Sequence, residues 1–167
     1  MAPQRQKLDK INLLQWNIHG IRAKYQELST ILSHQSISIA CLQETLLGDS
    51  NWRPSRNYNI EKSPHIGDQN RGVAILSHAT LPYTRVRLYT TLEAVAITLN
   101  SNKQYTICSI YLSPNNNVSK EDIQDLIRQL PQPFLLLGDF NAKQPLWDLG
   151  NNEDARGRKR YNEHYNK

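Results

Sequence analysis

Gly138-Asp139-Phe140-Asn141 follows directly on the apolar run Phe134-Leu135-Leu136-Leu137. A buried strand closing on an Asp and an Asn one residue apart delivers an anionic acceptor and an amide donor to one sheet edge, where α/β folds usually bind ligands. That pairing suits phosphate chemistry, although Gly-Asp-x-Asn also suits an ordinary strand-to-turn exit. Two further strand-like stretches end in similar residues: Leu13-Leu14-Gln15-Trp16-Asn17, and Ile37 to Thr45, whose apolar alternation stops at Gln43-Glu44. Glu44, Asp139, Asn17 and Asn141 at a common rim would be two carboxylates and two amides. Those are hard oxygen donors of the kind Mg²⁺ accepts while keeping several waters, with Mn²⁺ as the alternative.

Each residue also has a plainer reading. An isolated Glu after a strand is usually solvated, and the company of Gln43 and the other strand ends puts metal ligation by Glu44 ahead of that. Asn17 either helps to hold the metal and its waters or caps the helix that follows. Tyr111 shares a strand face with Tyr105, Ile107 and Ser109, where a tyrosine is ordinarily core or rim. His19 and His34 flank the first helix, and His65 and His78 lie in loops; none has a partner at catalytic spacing, so all four read as surface histidines. Arg71 before Gly72 reads as a structural turn, and Trp147 as a packing residue rather than a base-stacking one.

The hydrophobic pattern says which elements must place these side chains. Ile11 to Ile18 reads as a strand, and Ile21, Tyr25, Leu28, Ile31 and Leu32 then share one face of a helix over about residues 20 to 35. With Ile37 to Gln43 this makes an opening βαβ unit. Thr45 to Arg71 is polar and irregular around a short strand at Tyr58-Asn59-Ile60. The pattern then turns β over Gly72 to Ser77, Tyr83 to Tyr89, Leu92 to Leu99 and Gln104 to Leu112, expected to be antiparallel neighbours. Val95, Ile97 and Leu99 alternate with Ala94, Ala96 and Thr98, which predicts a strand covered on both faces. Ser119-Lys120-Glu121-Asp122 is a capping box for a helix burying Ile123, Leu126, Ile127 and Leu130 before Pro131. On these grounds alone the fold class is α/β with mixed sheets.

In order and rough spacing, Trp16-Asn17, Gln43-Glu44-Thr45, Arg71-Gly72-Val73, Ser109-Ile110-Tyr111-Leu112-Ser113-Pro114 and Gly138-Asp139-Phe140-Asn141 resemble the endonuclease/exonuclease/phosphatase superfamily. Asn-Ala-x-x-Pro-Leu-Trp from Asn141 to Trp147, followed by Arg156-Gly157-Arg158, is most similar to the apurinic-endonuclease-type domain of non-LTR retrotransposons, which sit in reverse-transcriptase polyproteins. The resemblance covers roughly residues 11 to 158, and five motifs in sequence are far more specific than one. It implies a four-layered α/β sandwich, two mixed β-sheets covered by helices, and a metal-dependent endonuclease that nicks double-stranded DNA. It also implies that Asp139 orients or deprotonates the attacking water, that Asn141 holds a phosphate oxygen, and that Tyr111 donates to the scissile phosphate.

One departure is severe. The family pattern closes on Ser-Asp-His, and this sequence contains no Asp-His pair; His164, after Glu163, has no strand leading into it. The expectation is therefore a C-terminally incomplete, impaired enzyme, either a fragment of a longer reading frame or a degenerate relic, with an uncovered edge strand. A phosphatase or non-specific nuclease of the same superfamily, and a non-catalytic DNA-binding remnant, remain open as alternatives.

Composition sets looser bounds. A chain of 167 residues suits one domain, here residues 11–158 between a polar extension (1–10) and a basic tail (159–167). The formal charge of +5 fits a polyanionic partner and equally fits plain solubility. Arg156, Arg158, Lys159 and Arg160 could meet a DNA backbone or form a solvated tail. Cys41 and Cys108, each among apolar neighbours, read as small buried thiols rather than a disulfide or zinc site, which favours a reducing compartment. No apolar stretch approaches a membrane span and no signal core opens the chain, so the expectation is an intracellular protein, nuclear if functional, with no membrane partner and no small-molecule cofactor beyond the metal. Oligomeric state is not legible.

Overall fold

The structure, a computed structural model, describes residues 10–64, 71–101, 103–114 and 118–141. Contacts divide the chain into two units, Met1–Tyr111 with Val118–Asp139, and Leu112–Asn117 with Phe140–Lys167. Trp147, the Arg156–Arg160 cluster, His65 and His164 lie outside the described residues.

Among its described residues the first unit contains ten elements: β1 (Leu13–Asn17), α1 (Ile21–His34), β2 (Ile39–Gln43), β3 (Tyr58–Lys62), β4 (Val73–His78), β5 (Tyr83–Val86), β6 (Glu93–Leu99), β7 (Tyr105–Tyr111), α2 (Lys120–Arg128) and β8 (Phe134–Asp139). They build two four-stranded sheets, ordered β1-β2-β4-β3 and β5-β6-β7-β8. Both are mixed: β1 and β2 are parallel through the α1 crossover, β7 and β8 are parallel through α2, and the other pairs are antiparallel.

Period-two alternation decides which layer each side chain joins. Ile39 and Cys41 of β2 and Val73 and Ile75 of β4 meet Val95, Ile97, Leu99, Ile107 and Tyr111 in a core between the sheets. The intervening Ala40, Leu42 and Leu76 face the other way, onto Ile21, Leu28 and Leu32 of α1. β2 is buried along its whole length because both of its faces are covered. Gln43, on the inner face, is fully buried and ties the sheets: its Nε2 donates to Ser109 Oγ at 3.0 Å, and its Oε1 accepts from Gln15 Nε2 at 2.7 Å. Burial pushes the Cys41 and Cys108 thiols up to about 12, and both cysteines are free.

Several expectations need correction. The four β segments after Gly72 are not one antiparallel run: β4 pairs with β2 and β3, and only β5, β6 and β7 neighbour one another. Local alternation cannot tell which of two stacked sheets a strand joins. β5 stops at Val86 rather than Tyr89, where the backbone leaves the sheet and exchanges hydrogen bonds with the Gln129 side chain. β8 is half-buried, not buried, with Leu135 42% exposed, since it lies at the margin of its sheet among the described residues. His78 ends β4 instead of sitting in a loop.

The Ser119 capping box forms as expected, Ser119 Oγ accepting from Asp122 N at 3.1 Å while Asp122 Oδ2 accepts from Ser119 N at 2.8 Å. The buried face of α2 is narrower than its pattern suggests: Leu126 and Leu130 are buried, Ile123 and Ile127 only partly. With so little apolar anchorage the cap matters. Ser119→Ala should lower stability by about 1 kcal/mol in urea denaturation, the usual cost of losing such a cap.

Candidate active site

Three strand ends meet. β1 closes on Asn17, β2 leads into Glu44, and β8 closes on Asp139. The parallel β1 and β2 pairing continues past both strands: Ile18 N donates to Gln43 O at 3.0 Å, Gly20 N to Glu44 O at 2.8 Å and Ile21 N to Thr45 O at 3.0 Å. On the other side Thr45 N donates to Gly72 O and Leu46 N to Arg71 O. Pinned between these neighbours, Glu44 adopts φ 52, and His19 opposite adopts φ 46. Left-handed backbone is uncommon for residues with side chains and recurs where function over-determines the local structure.

The Asn17 amide joins the carboxylates. Its Nδ2 donates to Glu44 Oε1 at 2.9 Å and to Asp139 Oδ2 at 2.8 Å, one bond for each of its two protons. Its Oδ1 is buried and has no hydrogen-bond partner among the described residues. Leaving an acceptor buried and unmatched costs about 1–3 kcal/mol, which makes such an atom a natural place for a cation or ordered water. The helix-cap reading of Asn17 is thereby replaced: Gly20 is the N-cap of α1, with no side-chain cap bond.

His19 is the residue that sequence reasoning missed. Its Nδ1 lies 2.8 Å from Glu44 Oε2, so it is not a histidine without a partner, although its side chain is 80% exposed. No local pattern marked it: β1 ends at Asn17 and His19 adopts φ 46, so strand alternation does not extend to it.

Tyr111, at the end of β7, reaches the same carboxylate. Its hydroxyl hydrogen-bonds Glu44, and burial, that bond and the nearby charges of Glu44 and Asp139 push the phenol up to about 12, with Arg71 opposing. The ring meanwhile belongs to the inter-sheet core, as the plainer reading of Tyr111 has it. Burial alone would raise the Glu44 carboxyl; hydrogen bonds from His19, Asn17 and Tyr111 outweigh it and hold it below the ordinary carboxylate range.

Arg71 pairs with Glu93 beside the turn at Gly72. Its Nη1 lies 3.6 Å from Glu93 Oε1, while Glu93 Oε2 accepts from Gly72 N at 3.0 Å. Asn141 belongs to the second unit, where its Nδ2 donates to Leu112 O at 2.9 Å and its φ is 44. Of the five residues singled out by sequence, Asn17, Glu44, Tyr111 and Asp139 come together in the first unit.

Among the described residues no group of three His, Cys, Asp or Glu side chains stands ready for a metal ion, and no helix is long and apolar enough to cross a membrane. A cation here would rest on carboxylate and amide oxygens with water completing its shell, which suits Mg²⁺ better than zinc. The orphaned Asn17 Oδ1 beside Glu44 fits that donor set.

Comparison with known proteins bears on the family and the fold. Two Drosophila melanogaster proteins are similar: the probable RNA-directed DNA polymerase from transposon BS, 27% identical over 158 residues, and that from transposon X-element, 23% identical over 145 residues. The match takes in 84% of this chain in each case and 16% of each relative, so the chain spans about a sixth of their length. Among solved structures, the endonuclease domain of TRAS1, a telomere-specific non-LTR retrotransposon, superposes with a TM-score of 0.69 at 23% identity, covering 89% of this chain and 68% of that one. An AP endonuclease from Archaeoglobus fulgidus gives 0.62 at 16% identity, covering 82% and 60%. At such identities the likeness is one of fold. The Endonuclease/Exonuclease/phosphatase family matches residues 14–165, which takes in Asn17, Glu44, Tyr111 and Asp139. The chain belongs to the endonuclease/exonuclease/phosphatase family.

Proposed function

We propose that this domain cuts one strand of double-stranded DNA by metal-dependent phosphodiester hydrolysis, as the endonuclease of a non-LTR retrotransposon. The observation that carries the reading is the single amide of Asn17 spanning Glu44 and Asp139, carboxylates 95 residues apart in sequence, at 2.9 and 2.8 Å. Glu44 and Asn17 Oδ1 hold the cation, Mg²⁺ or Mn²⁺. When bound, the ion neutralises charge on the phosphate oxygens and makes water more acidic.

The remaining steps belong to the chain's own side chains. Asp139, fixed by Asn17 Nδ2, accepts the proton of the attacking water on a carboxylate oxygen. Tyr111 turns its one hydroxyl proton from Glu44 to a phosphate oxygen when substrate is bound, and because the phenol is held protonated to about 12, the donor is present throughout the neutral range. The chain's net charge of +5 favours a polyanionic substrate.

The test is conversion of supercoiled plasmid to open circle with Mg²⁺ and with EDTA. Nicking that EDTA abolishes supports the reading; an intact supercoiled pool at high protein concentration overturns it. Faster turnover of an inositol phosphate than of plasmid would instead assign a phosphatase. Salt-dependent DNA binding that survives loss of both Glu44 and Asp139, without cleavage, would leave only a binding remnant. Tyr111→Phe should reduce nicking by about 10² to 10³ in single-turnover assays, the usual effect of removing a transition-state donor. The melting midpoint should move little at neutral pH, since the ring's packing is kept.

A further inference from the structure

We propose that His19 supplies an imidazole nitrogen to the cation held by Glu44, and that this donor tilts the site toward Mn²⁺ over Mg²⁺. The inference rests on the reading of Glu44 as the metal ligand and goes beyond it. His19 Nδ1 and Glu44 Oε2 stand 2.8 Å apart. Two donors on adjacent corners of a six-coordinate ion, with bonds of about 2.1 Å, are separated by about 3 Å, so the pair has nearly the spacing of one coordination edge, and the cation would replace the proton shared between them, Nδ1 giving up its hydrogen to solvent or to the tautomer protonated at Nε2. The buried Asn17 Oδ1, without a hydrogen-bond partner among the described residues, lies on the amide that holds Glu44 Oε1 and offers a third donor.

The backbone holds the pair face to face. Both residues sit in the left-handed region, at φ 46 and φ 52, and Gly20 N donates to Glu44 O at 2.8 Å, just beyond His19. The exposed imidazole leaves the approach from solvent clear, its side chain being 80% accessible against 19% for Glu44. Oxygen donors alone suit Mg²⁺, which demands near-ideal geometry and keeps its water; imidazole suits transition ions, among which Mn²⁺ also accepts carboxylate and carbonyl oxygen. A mixed set of one imidazole nitrogen and two oxygens therefore favours Mn²⁺.

The test is Mn²⁺ titrated into the whole chain, followed by electron paramagnetic resonance, with Mg²⁺ as competitor. In the wild type, pulsed spectra of bound Mn²⁺ should show modulation from a directly coordinated ¹⁴N. His19→Asn, which keeps a residue tolerant of left-handed backbone and offers oxygen instead, should remove that modulation. It should also lower the ratio of Mn²⁺ to Mg²⁺ affinity by about tenfold or more, the scale on which changes in the ligand shell act. Bound Mn²⁺ that is lost in Glu44→Gln yet shows no coordinated ¹⁴N, or a ¹⁴N signal persisting in His19→Asn, overturns the role of His19 and leaves Glu44 as a ligand. Mn²⁺ that does not bind, or binds equally well to Glu44→Gln, overturns the metal site itself and this inference with it.

Discussion

Glu44→Gln should abolish cation-dependent nicking, lowering the single-turnover rate by on the order of 10³-fold, which corresponds to several kcal/mol of lost charge stabilisation. Gln keeps the length of the side chain and can still accept from Asn17 Nδ2, so the substitution removes charge rather than shape. The left-handed backbone at φ 52 burdens Glu and Gln alike, which keeps folding out of the comparison. Rates of plasmid nicking across a Mg²⁺ titration would check it; activity recovered at high Mg²⁺ would mean weakened binding, whereas a rate near wild type at all concentrations would rule out Glu44 as ligand.

The same variant carries a pH signature. The Glu44 carboxyl is held below its ordinary value of 4.5 by hydrogen bonds from His19, Asn17 and Tyr111 that outweigh burial. A carboxylate whose folded pKa is depressed stabilises the fold above the unfolded value, and that contribution is lost as pH falls through the folded value. Denaturant titrations should therefore show the stability difference between wild type and Glu44→Gln shrinking as pH drops below 4.5. A difference that is constant from pH 7 to pH 3 would count against the hydrogen-bonded carboxylate.

Among the described glycines, Gly138 is the one at which an added methyl, as in Gly138→Ala, should do most damage. A Cβ at position 138 would lie 1.9 Å from the Ile110 carbonyl oxygen and 2.8 Å from its carbon, so backbone rather than a flexible side chain would have to give way. Ile110 and Gly138 are register partners in the parallel β7 and β8 pair, one step before Tyr111 and Asp139. Relief of the clash therefore pushes apart the two strands that carry the phenol and the carboxylate. The expected loss is about 3 kcal/mol or more in urea denaturation, the upper range for overpacking. Gly48→Ala provides the contrast. Gly48 also has positive φ, 50, but open space around the added carbon, so the cost there is only the left-handed penalty of about 1–2 kcal/mol. Equal losses at the two positions would refute the close approach at Gly138.

The residues that end strands were legible in the amino-acid order because a strand leaves a local mark. Leu13 to Asn17, Ile39 to Gln43 and Phe134 to Asp139 are apolar runs, and the polar residue that stops each one is visible without any knowledge of what lies beside it. The capping box at Ser119 and the crossover helix α1 are equally local, one set by side-chain bonds over three residues and the other by a 3.6-residue period. Together with the motif order, these were enough to name the family and four residues that converge.

Only the tertiary structure decided how those ends are joined. The Asn17 amide bridging Glu44 and Asp139 spans 27 and 122 residues of chain, and no local pattern encodes a bond of that kind. The same is true of β4, whose alternation resembles that of β5 to β7 although it pairs in the other sheet. His19 shows the difference most sharply. Along the chain it is one polar residue in a turn, and it becomes part of the site because backbone hydrogen bonds carry the β1 and β2 pairing beyond both strands and set it against Glu44. Composition and periodicity report what a segment can bury, while the identity of the group facing a side chain is settled by packing across the sheet.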